Sequence, residues 1–109
     1  MKLYEFNKHE YYALILALNE EEALKAYEEE IVGEIEEDEI ELTPDIITEK
    51  QALNRYKKAL IENCETEEEK EEDFYKSINS FKYRQEEAIK QNIELSEKYQ
   101  ILLIDGSLL

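Results

Sequence analysis

Residues Tyr11 to Leu18 read YYALILAL, eight positions without a charge in a chain whose charged fraction is 39%. Such a run has to be buried, because exposed apolar surface is costly in water. It is far short of the roughly 20 residues that span a bilayer. Its length and bounded ends favour a strand buried on both faces over the start of a helix. Lys2 to Phe6 (KLYEF) is a natural neighbour, with Tyr4 and Phe6 on one face at a period of two. Asn7-Lys8-His9 supplies turn chemistry between them, so the two segments read as an N-terminal hairpin.

The next boundary is a helix start. Asn19 is placed to accept an orphan backbone N–H of a first turn. Glu20, Glu21 and Glu22 follow where the helix dipole favours negative charge. Ala23, Leu24, Tyr27 and Ile31 then recur at helical spacing, which carries this helix to about Ile31, with a stop near Gly33. Ile35, Ile40 and Leu42 read as a short edge strand in acidic surroundings, ended by Thr43-Pro44-Asp45. Thr48, with Gln51 three residues on, begins a second helix with a buried stripe of Ala52, Leu53, Tyr56, Ala59 and Leu60. Phe74, Ile78, Phe81, Gln85, Ala88, Asn92 and Leu95 alternate at three and four residues. That spacing predicts one long helix over 67–96, with Ser77 to Ser80 as the place for a break. Tyr99 to Ile104 (YQILLI) closes the pattern as a strand that pairs with the hairpin, followed by an Asp105-Gly106 turn.

These elements predict one α+β domain over 1–109. A small antiparallel sheet, the N-terminal hairpin plus the C-terminal strand, packs against two or three helices, one of them long. A domain of this size needs only one face of its sheet covered.

Charge narrows the function. There are 29 acids against 13 Lys and Arg, a net charge of −16. Direct binding to nucleic acid requires clustered Lys or Arg and is not expected, and anionic membrane surfaces repel such a chain. The fitting partner is a basic protein surface, in particular the groove of a nucleic-acid-binding protein. No segment has the order of a signal peptide, and one cysteine, Cys64, suits a reducing compartment, so a cytoplasmic location is expected.

Catalytic groups are sparse. His9 is the only histidine and reads as a solvated turn residue; Cys64 has no histidine near it in sequence and reads as a small residue near a helix end. Two glycines, Gly33 and Gly106, cannot build a glycine-rich phosphate loop. The run Glu34 to Glu41 lacks the spacing of a calcium loop. The expectation is therefore a non-enzyme with no catalytic residues, no metal site and no cofactor.

The acids are not evenly spread. Glu20 to Asp45 holds thirteen acids and one Lys, and Glu62 to Asp73 holds eight acids and one Lys. Between them Ile46 to Ile61 is net basic, with Lys50, Arg55, Lys57 and Lys58 against Glu49. One reading is a solvated acidic surface, with the basic helix docked against an acidic block inside the fold. The other is mimicry: carboxylates three or four residues apart on a helix stand about 5–6 Å apart, of the order of phosphate spacing along a strand. The acidic face expected to bind a partner comprises Glu28, Glu29, Glu36, Glu37, Asp38, Glu39, Glu68, Glu69, Glu72 and Asp73. Tyr75 and Tyr83 lie off the buried stripe of the long helix and are expected to add aromatic contacts.

The opening KLYEFNKHEYYALILALNEEEALKAYEEE, a strand leading to an acidic helix, resembles small acidic proteins carried by phages and mobile elements of low-GC bacteria. The likeness covers about the first third of the chain. It implies an inhibitor of a host DNA- or RNA-binding protein that acts by mimicking nucleic acid. The alternative is an adaptor or structural protein working through a Tyr-rich helical face as a homodimer.

Overall fold

The computed structural model describes residues 1–7, 11–32, 43–59, 64–93 and 98–104. Strand β1 (Lys2–Phe6) pairs antiparallel with β2 (Ala13–Ala17), Leu3 opposite Leu16 and Phe6 opposite Ala13. Strand β3 (Asp45–Ile47) adds to the other side of β1, and β4 (Tyr99–Ile104) to the other side of β2. The order is β3-β1-β2-β4, a four-stranded antiparallel sheet. Helices α1 (Glu20–Tyr27), α2 (Glu49–Lys58) and α3 (Glu67–Lys90) complete the α+β fold among the described residues.

All five residues of β2 are buried, as expected of YYALILAL. The reason is a difference from the sequence reading: both faces of the sheet are covered, not one. Leu3, Leu14, Leu16 and Leu103 meet Ala52, Leu53 and Tyr56 of α2 and Phe74, Ile78 and Phe81 of α3. On the opposite face, Tyr4, Phe6, Ala13, Ile15 and Ala17 meet Ala23, Ala26 and Tyr27 of α1. A strand apolar at every position requires a layer on each side.

Local chemistry sets the helix starts. Asn19 Oδ1 accepts from the Glu22 N–H at 2.9 Å. Thr48 Oγ1 accepts from the Gln51 N–H at 3.1 Å while Gln51 Oε1 accepts from the Thr48 N–H at 2.9 Å, a reciprocal capping box. Thr66 caps α3 through its Oγ1, which accepts from the Glu69 N–H at 3.2 Å. After Tyr27 the chain continues as a π-helical turn, Glu28–Val32. Tyr27 is fully buried and stacks on Phe6, with ring centroids 4.5 Å apart. Its hydroxyl donates to Tyr11 O at 2.9 Å and accepts from the Tyr11 N–H at 3.2 Å, so the buried phenol keeps its polar contacts.

Helix α3 is unbroken through Ser77 to Ser80, but it ends at Lys90 rather than near 96. Asn92 adopts φ 53, and the Ile93 N–H donates to Ala88 O at 3.0 Å while the Asn92 N–H donates to Ile89 O at 3.1 Å. This is a Schellman termination with Asn in the left-handed position; periodicity alone does not reveal it. The edge strand expected at Ile35 to Leu42 falls outside the described residues; among the described residues a short edge strand, β3, follows Pro44.

Candidate partner-binding surface

Two antiparallel helices form the layer that carries the second acidic block. Basic α2 lies on α3, and an ion pair joins the two helices at each end, the long helix supplying the carboxylate at one and the lysine at the other. Lys57 Nζ stands 3.6 Å from Glu71 Oε2, and Lys82 Nζ stands 3.1 Å from Glu49 Oε1 at the other end. The Tyr56 hydroxyl donates to Asp73. Burial, then this hydrogen bond, raises the Tyr56 pKa above its ordinary value. Lys70 Nζ donates to Ala59 O at 2.7 Å and Lys57 O at 3.2 Å, meeting carbonyls left open where α2 ends. Part of the acidic block thus holds the fold together.

The residues expected to face a partner divide accordingly. Asp73 is engaged by Tyr56 and half-buried. Glu69 is exposed but bound locally, its carboxylate accepting from Thr66 Oγ1 at 3.4 Å and from the Glu65 N–H at 3.5 Å. Glu68 and Glu72 are exposed, one turn apart. Tyr83 follows eleven residues after Glu72, three turns on, and is 63% exposed. At 3.6 residues per turn, Glu68, Glu72 and Tyr83 fall on one outward stripe of α3, with about 16 Å along the axis from Glu72 to Tyr83. Tyr75 differs from expectation: it is half-buried against the core and meets Phe74 edge-on, centroids 5.2 Å apart.

Glu28 and Glu29 are exposed on the π-helical turn, next to Glu30, whose Oε1 accepts from the Tyr99 hydroxyl at 3.0 Å. That turn continues α1, so it belongs to the layer on the far face of the sheet from α3. Glu28 and Glu29 are therefore not brought together with Glu68 and Glu72. Glu36, Glu37, Asp38 and Glu39 lie outside the described residues.

The sequence reading overlooked Glu5. Period-two alternation puts it on the same face as Leu3, pointing at α2, and it is only 3% exposed. Three donors converge on it: Arg55 Nε at 2.8 Å and the Tyr12 hydroxyl at 2.6 Å reach Oε2, and Asn7 Nδ2 reaches Oε1 at 3.2 Å. Burial and this contact push the Tyr12 phenol well above its ordinary pKa. The signal was present, since a carboxylate on a core-facing position demands a partner. Arg55 lies three residues after buried Ala52 on α2.

Cys64 is half-buried beside the start of α3, with Sγ 3.7 Å from Glu69 O. Burial, with the carboxylates of Asp73 and Glu69, pushes its thiol pKa up, which disfavours the nucleophilic thiolate. Among the described residues no group of three or more His, Cys, Asp or Glu side chains is placed to hold a metal ion, and no helix is long and apolar enough to cross a membrane. A groove of about 260 Å³ opens beside β3, lined by Leu3, Leu16, Ile46 and Ile47 with Lys2, Glu49 and Lys82 around it.

These features define a small acidic α+β protein whose sheet lies between helical layers and whose long helix bears an exposed stripe of carboxylates and tyrosine. The chain belongs to the YosH C-terminal domain family, which matches residues 1–103. That family carries a phage-type Bacillus gene name, in keeping with a phage or mobile-element origin. No curated protein matches the chain. No solved structure matches it.

Proposed function

We propose that this protein is a non-enzymatic, acidic protein-binding module of the cytoplasm that inhibits a DNA- or RNA-binding protein by occupying its basic groove as a nucleic-acid mimic. The observation that carries this reading is the pair Glu68 and Glu72, exposed one turn apart on a helix held by both the sheet and α2. A rigid scaffold lets the carboxylates meet a basic surface without ordering flexible side chains first, which lowers the cost of binding. The net charge of −16 steers a cationic partner in and repels nucleic acid from the occupied groove. An anti-defence or regulatory role suits a phage or mobile-element protein.

Capture of partners from the native host on immobilised protein, followed by salt titration and competition with DNA or RNA, tests this. The expected binding weakens steeply with salt and is displaced by nucleic acid. Reversing the pair (E68K with E72K) lowers affinity at least tenfold, while E28K with E29K, across the sheet, changes it far less. Binding indifferent to salt and to E68K/E72K would overturn the mimicry reading.

The second reading is an adaptor that acts through the aromatic face of α3 as a homodimer. It is favoured by the exposure of Tyr83 at 63% and Ile89 at 72%, both on the C-terminal half of the same helix. Light scattering separates the two: this reading requires a dimer at micromolar concentration that Tyr83→Ala and Ile89→Ala dissociate.

A further inference from the structure

We draw no further inference here: the strongest candidate, the apolar groove at the β3 edge lined by Leu3, Leu16, Ile46 and Ile47, carries nothing because Lys82 on its rim already pairs with Glu49 and nothing in the structure shows what covers it.

Discussion

Arg55 Nε on α2 donates to Glu5 Oε2 on β1 at 2.8 Å, joining residues fifty apart in sequence. Glu5 is buried, whereas the Arg55 side chain is 40% exposed. The guanidinium thus spans the boundary between core and water, and it neutralises a carboxylate that would otherwise lie charged beneath α2. Breaking a buried pair costs more than the pair contributes, because the remaining charge is left uncompensated.

Arg55→Ala is expected to destabilise the fold by about 2–4 kcal/mol, reduced from the fully buried case by the exposure of Arg55. Glu5→Gln, which keeps an acceptor and removes the charge, should cost less. Urea denaturation of the two single variants and the double variant reads the coupling. Additive effects would show that the pair is not a unit.

Tyr12 and Tyr56 should both resist ionisation in the folded state, because burial and hydrogen bonds to Glu5 and Asp73 raise their pKa above the ordinary value of 10.0. For a group whose folded pKa is raised, the stabilisation is fully present below the unfolded value and is lost above it. Stability should therefore hold up to about pH 10 and decline beyond, as the unfolded chain ionises first. Phenolate absorbance followed against pH should show a late-titrating group of tyrosines that also includes Tyr4, and this group should shrink by one in Tyr12→Phe and by one in Tyr56→Phe.

Tyr75 and Tyr83 are two turns apart on α3 but should respond in opposite ways to truncation. Tyr75→Ala removes an edge-on contact with Phe74 and half-buried surface, and should lower stability by about 1–3 kcal/mol. Tyr83→Ala should leave stability within about 0.5 kcal/mol while weakening partner binding or dimerisation. Thermal melts of both variants check this, and equal losses would mean that Tyr83 is not the free side chain its exposure indicates.

Asn92→Gly should leave the protein unchanged or raise its stability by up to about 1 kcal/mol, since glycine reaches φ 53 without steric cost. Asn92→Val should lower it, because a β-branched residue is disfavoured at positive φ. Calorimetry on the pair tests whether this termination matters to α3.

Local signals in this chain reach only as far as a turn or a strand, and what they predicted follows that range. Asn19, Thr48 and the run Tyr11 to Leu18 could be read because a cap acts over three residues and a doubly buried strand is apolar at every position. The hairpin and the pairing of its strand with Tyr99 to Ile104 also follow from pattern. The end of α3 was missed because Asn92 suits a helical stripe and a left-handed cap equally, and only its backbone angle distinguishes them. The tertiary structure alone decided which acids remain available. Asp73 and Glu71 are taken up by Tyr56 and Lys57, Glu5 is enclosed by Arg55 and Tyr12, and Glu68 and Glu72 face outward. Composition establishes that the chain is strongly acidic; which carboxylates meet water depends on contacts between residues fifty (Glu5 and Arg55) or even 69 (Glu30 and Tyr99) positions apart, and only packing brings those together.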